Sequence, residues 1–113
     1  MKLEGNAKLV RIHFGEDDKF NGKPLFEAIV HKCQELDMAG ATVYRGFEGY
    51  GASTRIHRGH GFHFSSDAPI VVTIVDSDEK IRQLIPHLDA MLNEGLIAVS
   101  DVEVIRYKKQ ERT

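Results

Sequence analysis

The sequence predicts an α+β domain whose elements run strand, helix, strand, strand, helix, strand. Residues 7–14 alternate between apolar and polar side chains, as a half-buried strand does. Apolar residues recur at helical spacing in residues 25–36 and again in residues 81–92. Residues 70–75 form a continuous apolar run, which is typical of a strand buried on both faces. This βαββαβ order is that of the ferredoxin-like sandwich, a four-stranded antiparallel sheet with two helices on one face.

The first helix has a start signal and a stop signal. Pro24 stands where a helix can begin, because its missing N–H costs nothing in the first turn. Gly40 is expected to close the helix in a left-handed conformation. Residues 41–48 then read as the second strand.

The second helix is expected to follow the apolar strand directly. Asp76 or Ser77 can cap its first turn. Pro86 interrupts the apolar stripe and predicts a kink or a restart. Residues 93–95 end the helix, and residues 97–107 read as the last strand.

The face of the sheet away from the helices is predicted to be apolar. Leu9, Ile105, Tyr107 and half of the 70–75 run fall on it by alternation. A monomer would expose this patch, so we expect the chain to form an oligomer through it.

The composition limits the classes of function that the protein can have. The 113 residues predict a single domain, and 42% hydrophobic with 28% charged residues is ordinary for a soluble globular protein. The net charge of −2 disfavours nucleic acid as a partner. The single cysteine excludes an internal disulfide. With no signal-peptide pattern and no long apolar run, we expect a cytoplasmic location.

Residues 46–61 hold five of the ten glycines and predict a long, flexible hairpin loop over about residues 46–64. Glycines let a backbone approach a phosphate closely, and cations lie nearby in sequence: Arg55, Arg58, Arg106, Lys108 and Lys109. This combination suits an anionic ligand such as a nucleotide. A mobile hairpin with solvated arginines explains the pattern equally well.

Three histidines, His57, His60 and His63, lie in the same segment. Imidazole is the commonest metal ligand, but glycines at 59 and 61 argue against the helix that would align the three rings. Loop histidines without a bound metal are therefore the expected state, and a metal site is the alternative.

Evidence for an enzyme is weak. The acidic residues 16–18 fit a solvated turn, and Cys33 falls on the apolar face of a helix, where a thiol is structural. We expect no catalytic residues.

Several motifs, in order, resemble an uncharacterised PII-like family, domain of unknown function 190. They lie at residues 1–5, 15–18, 21–25, 39–43, 45–51, 53–57 and 67–69, and the resemblance spans residues 1–107. It implies a trimer of ferredoxin-like subunits, with adenine nucleotides bound in the clefts between subunits. It also implies a long loop that changes shape with the ligand and touches a target protein.

The resemblance assigns roles to three stretches. Thr42, with Val43, resembles the strand that helps to hold the adenine. Gly49, Tyr50 and Gly51 resemble the Gly-Phe-Gly at the base of the loop, and Arg55 lies within that loop. In the 104–108 stretch, Arg106 and Lys108 resemble two basic residues that meet phosphates.

One departure from PII concerns the phosphates. PII carries a glycine-rich phosphate-binding loop between its second helix and last strand, whereas this chain has only residues 93–96 there. The shorter linker offers fewer backbone donors, which favours AMP or ADP over a triphosphate.

The leading hypothesis is therefore a non-enzymatic regulator: a homotrimer that senses an adenine nucleotide and signals through its long loop. A trimeric metal-binding protein using the loop histidines is the second, and an enzyme acting on a small anion is the third. The resemblance also implies a channel or transporter as partner, since such family members are associated with fluoride-channel genes.

Overall fold

The computed structural model of the chain describes residues 3–51, 57–58 and 67–110. The strands are β1 (Gly5–Gly15), β2 (Lys19–Phe20), β3 (Lys23–Pro24), β4 (Thr42–Arg45), β5 (Glu48–Gly49), β6 (His57–Arg58), β7 (Pro69–Asp76) and β8 (Leu96–Val104). The helices are α1 (Leu25–Glu35) and α2 (Asp78–Met91). The predicted α+β class and the predicted order of the main elements are confirmed.

The main sheet has the order β4-β7-β1-β8, with antiparallel pairing throughout. The central strand β1 pairs with β7 from Lys8 to Gly15 and with β8 from Gly5 to His13. We call the Gly15 end of β1 the upper end of the sheet and the Gly5 end the lower end. Ten residue steps separate the two ends by about 34 Å.

The core lies between this sheet and the two helices. In β7 burial alternates strictly, so that one face of the strand is buried and the other is partly exposed. The buried face of the sheet and the apolar stripes of both helices share one cluster: Val10, Ile12, Phe14, Leu25, Ile29, Cys33, Ile70, Val72, Ile74, Ile81, Leu84, Leu88 and Met91. Strand periodicity and helix periodicity therefore bury a common surface.

Helix α1 begins directly after Pro24, as predicted, but the prediction for its end is wrong. Asp37, not Gly40, adopts the left-handed conformation, with φ 57°. The Met38 N–H reaches back to the Cys33 carbonyl (2.9 Å) and closes the last turn. An aspartate tolerates this conformation better than most residues, so the chain turns three residues before the glycine.

Helix α2 is capped by Ser77, whose hydroxyl accepts from the Lys80 N–H at 3.2 Å. Asp78 and Glu79 lie in the first turn, where the helix dipole favours negative charge. Pro86 lies inside a helix that runs unbroken from Asp78 to Met91, so no restart occurs there.

Two predicted strands are too long. The strand predicted over 41–48 breaks after β4, because the chain turns at Gly46, and Glu48 already belongs to β5. At Gly46 the N–H donates to the Pro69 carbonyl (2.6 Å), and a Cβ would lie 2.7 Å from the proline ring. The strand predicted over 97–107 ends at Val104, which pairs with Gly5, the first residue of β1. Within the described part of the chain, no strand continues the ladder beyond Val104.

The open face of the sheet, away from the helices, is mainly apolar, as predicted for Leu9 and for half of the 70–75 run. Register places the following residues there: Leu9, Arg11, His13, Thr42, Tyr44, Val71, Thr73, Val75, Leu96, Ala98, Ser100, Val102 and Val104. The assignment of Ile105 and Tyr107 to this face is wrong, because both lie beyond the end of β8. Neither helix in the described ranges is long and apolar enough to cross a bilayer.

Candidate ligand-binding site

A cleft of about 790 Å³ lies at the upper end of the sheet. It is bounded by the end of β1, by the starts of β7 and β8 and by the β5 segment. Its lining residues are His13, Phe14, Gly15, Asp18, Gly46, Glu48, Gly49, Tyr50, Gly51, Asp67, Pro69, Ile70, Val71, Glu94, Gly95 and Leu96.

Close backbone approaches shape this cleft. Gly95 has φ 144°, and a Cβ on it would lie 2.2 Å from the His13 carbonyl oxygen. The loop between α2 and β8 can therefore lie directly against the end of β1 only because residue 95 is glycine. On the other side, the Asp17 N–H donates to an Asp67 carboxylate oxygen at 2.8 Å, which joins the start of β7 to the turn after β1.

The charge of the cleft is negative. Among its described lining residues are four carboxylates, those of Asp18, Glu48, Asp67 and Glu94, and no lysine or arginine. Arg45 lies nearby, but its guanidinium donates to both carboxylate oxygens of Glu16 at 3.2 Å. The described lining of this one copy therefore offers no lysine or arginine to a phosphate.

The structure brings some of the predicted site residues together and separates others. Gly49, Tyr50 and Gly51 all line the cleft, and Tyr50 is 74% exposed. Thr42 lies partway down the sheet at its edge, opposite Thr73. Arg55 lies outside the described residues.

Arg106 and Lys108 lie at the lower end, the opposite end from the cleft. Both are exposed, and they follow Val104, which pairs with Gly5. From the length of β1, a distance on the order of 25 Å separates them from Gly49–Gly51 of the same copy. Residues two apart on a strand share a face, so the sequence predicts that Arg106 and Lys108 point the same way; this prediction is wrong, because β8 ends at Val104.

The lower end contains two contacts that the sequence did not reveal. Tyr107 donates a hydrogen bond from its hydroxyl to the Ala39 carbonyl at 3.2 Å. The Ala39 N–H donates to Asp76 Oδ2 at 2.8 Å. The only sequence signal for Tyr107 is its place between two cations in a polar segment, and the sequence indicates Asp76 only as a candidate helix cap.

Asp76 itself is fully buried at the end of β7. Its second oxygen accepts from the Ser77 N–H at 2.7 Å, so both carboxylate oxygens are used. The carboxylate therefore joins the loop after α1 to the first turn of α2.

A second, smaller cleft of about 410 Å³ lies beside Lys8. The Lys8 ammonium donates to the Asp101 carboxylate and lies 4.0 Å from Asp78. The hydrogen bond from Lys8, aided by its charge, lowers the pKa of Asp101 below its ordinary value. The charged side chains of Lys8, Asp78 and Asp101 are paired with one another, and none of them selects a ligand.

The described residues contain no group of three or more metal-ligating side chains. His57 lies in β6, where its backbone pairs with Gly49, and His60 and His63 lie outside the described residues. Burial raises the pKa of the Cys33 thiol to about 11, so it stays protonated and is not a nucleophile.

Comparison with protein families gives one match that spans most of the chain. The family model of DUF190, described as Uncharacterized ACR, matches residues 7–104. A UPF0166 protein of Aquifex aeolicus is 40% identical over 98 residues, which cover 87% of this chain and 92% of the relative. A UPF0166 protein of Methanocaldococcus jannaschii is 32% identical over 106 residues, covering 93% and 97%.

Solved structures with the same fold include PII-like proteins. A protein of Thermus thermophilus described as PII-like signaling has a TM-score of 0.67 at 20% identity, covering 93% of this chain and 94% of its own. CPII, a nitrogen regulatory PII-like protein of Thiomonas intermedia solved with ADP, AMP and bicarbonate, has a TM-score of 0.65 at 22% identity, covering 89% and 90%. The divalent ion tolerance protein CutA1 of Ehrlichia chaffeensis has a TM-score of 0.58 at 10% identity, covering 92% and 86%. At these identities the likeness concerns the fold.

Proposed function

Because the chain belongs to the DUF190 family and has the fold of PII-like proteins, we propose that it is a non-enzymatic regulator that binds AMP or ADP between the subunits of a homotrimer. One observation carries the proposal. The segments that resemble the nucleotide-binding parts of PII lie at opposite ends of one subunit, with acidic residues at the cleft and cations at the far end.

An assembly in which the upper end of one copy meets the lower end of the next reunites these segments. Such a heterologous, head-to-tail contact closes into a ring when the rotation from one copy to the next is a whole fraction of a turn. Arg106 and Lys108 of one copy would then face Gly49–Gly51 of its neighbour. The cations that the cleft lacks would come from that neighbour.

The open face of the sheet supports self-association. Its apolar members include Leu9, Val71, Val75 and Val102, and a contiguous apolar patch of this kind is rarely left exposed to water. Packing three such faces around an axis would bury it.

AMP and ADP are favoured for two reasons. The linker between α2 and β8 is short, and its backbone is held against β1 at Gly95, which leaves few free donors for a third phosphate. CPII, which has the same fold, was solved with ADP and AMP.

Regulation would work by population shift. The base of the long loop, Gly49–Gly51, lines the cleft, so a bound nucleotide has different contacts in different loop conformations and favours one of them. A partner protein would read that conformation. A channel or transporter as that partner stays a prediction.

The test is isothermal titration of the intact protein with AMP, ADP and ATP, together with light scattering. We expect about three times the chain mass of 12.7 kDa and one nucleotide per chain. Arg106→Ala should weaken ADP binding by about tenfold or more, because a charge-assisted hydrogen bond contributes roughly 1.5–3 kcal/mol.

Arg82→Ala is the matched control, since it removes the same charge from an exposed pair with Asp78 on α2. It should leave the affinity unchanged. A stable monomer, or equal ADP affinity in wild type and Arg106→Ala, would contradict the proposed site.

Metal binding is the alternative, and the fold shared with CutA1 is the observation that keeps it open. Zinc or copper should then raise the melting temperature, and His60→Ala should abolish that rise. A nucleotide response without a metal response would reject this alternative.

A further inference from the structure

Among the described residues, one side chain holds the segment that follows the last strand by a hydrogen bond. From residue 105 to residue 110 every residue is exposed except Tyr107, which is half-buried. Ile105, at the bend where β8 ends, is 80% exposed. A segment without ladder partners frays unless something ties it down. Here the tie is the hydrogen bond from the Tyr107 hydroxyl to the Ala39 carbonyl.

The acceptor of that bond is itself fixed. The Ala39 N–H is bound by the fully buried Asp76 carboxylate at 2.8 Å. Three residues earlier, the Leu36 carbonyl accepts from the Lys80 ammonium of α2. The loop after α1 is therefore attached to β7 and to α2, and Tyr107 is bonded to a peptide with little freedom to move.

Tyr107 stands between the two cations of the proposed phosphate contact. Arg106 and Lys108 are its sequence neighbours, and both are exposed. The loop that holds Tyr107 continues within three residues to Thr42, which the resemblance assigns to the adenine. One hydrogen bond thus links the cations to the segment that enters β4.

We propose that Tyr107 is a positioning residue, whose bond to Ala39 holds Arg106 and Lys108 ready for a phosphate-bearing ligand. This inference rests on the proposed function. Long basic side chains on a frayed end lose conformational freedom when they bind, and a fixed backbone lowers that cost. In this proposal the segment around Tyr107 is ordered before the ligand binds, so that Arg106 and Lys108 already lie where the phosphate would contact them.

Tyr107→Phe tests this proposal, because it removes the hydroxyl and keeps the ring. By isothermal titration, ADP affinity should fall about three- to tenfold, the usual range for one lost hydrogen bond. Adenosine, which has no phosphate, should bind wild type and Tyr107→Phe equally. A change in the ratio of ADP to adenosine affinity is something that general loss of structure would not produce. Arg82→Ala, which alters an exposed side chain of α2, is the control and should change neither affinity.

A second measurement needs no ligand. Trypsin cuts after arginine and lysine, so cleavage at Arg106 and Lys108 reports whether the segment is held. Mass spectrometry should show faster cleavage at both sites in Tyr107→Phe, with cleavage at both sites in the Arg82→Ala control as in wild type.

The two measurements separate the possible failures. If wild type binds ADP and Tyr107→Phe binds it equally well, the positioning role is rejected and the proposed function stands. If wild type binds no ADP but the trypsin sites open in Tyr107→Phe, the proposed function fails while the anchor remains. Equal cleavage rates in the two proteins would reject the anchor itself.

Discussion

Replacing Asp76 with alanine should destabilise the protein strongly. The Asp76 carboxylate is fully buried and accepts from the Ala39 N–H at 2.8 Å and from the Ser77 N–H at 2.7 Å. Alanine leaves both donors buried without an acceptor, and each such group costs about 1–3 kcal/mol. The free energy of unfolding should therefore fall by about 2–6 kcal/mol. Asp76→Asn retains one acceptor oxygen and should lose roughly half as much.

Urea denaturation at one fixed protein concentration measures this effect, because the stability of the proposed trimer would depend on concentration. Ser77→Ala is the matched control. It removes the helix cap, which accepts from Lys80 at 3.2 Å, but keeps the backbone N–H that Asp76 binds. A lost cap costs about 1 kcal/mol. If Asp76→Ala loses no more stability than Ser77→Ala, the carboxylate does not join the loop to the helix as described.

Three further outcomes are expected. The lowered pKa of Asp101 means that its ion pair with Lys8 stabilises the fold at neutral pH and is lost as the pH falls through that pKa. Wild type should therefore be more stable than Asp101→Asn at pH 7, and denaturation measured from pH 7 to pH 2 should show this difference closing at the acid end. Cys33, with its pKa raised to about 11 by burial, should resist a thiol reagent at pH 8 in the native protein and react fully in denaturant; fast native labelling would show that the core opens there. Gly95→Ala should lower the melting temperature sharply, because φ 144° and a backbone carbonyl oxygen 2.2 Å from the new Cβ oppose it; Gly40→Ala, with nothing within 4 Å, should be nearly neutral.

The main elements were predictable because each follows a local periodicity. Alternation places Val10, Ile12 and Phe14 on one face of a strand, and all three are buried in the core. Element ends were less predictable, because contacts distant in sequence set them. Residues past Val104 keep alternating, yet the strand stops there because its partner begins at Gly5.

Some residues of the candidate site could be predicted from the sequence, but their positions in the fold could not. Gly49, Tyr50 and Gly51 were expected at a ligand-binding cleft, and they line one. That Arg106 lies at the other end of the sheet depends on the length of β1 and on the position of β8 beside it, and motif spacing carries neither fact. Tyr107 also escaped prediction, because a hydrogen bond between residues 68 positions apart leaves no periodic signal.

The distance between the cleft and the cations has a genetic consequence in the proposed trimer. A binding site there belongs to a junction between neighbours and not to a chain, so a cell making two versions of the protein would build mixed rings. A version without Arg106 would bring no arginine to the cleft of the neighbour that it faces, while its own cleft would stay intact. A version with a defective Gly49 segment would do the reverse. Each defective version would partly disable rings that it shares with the normal version. A ring that contains both defective versions, however, would regain a working junction wherever the intact cleft of one meets the intact cationic end of the other.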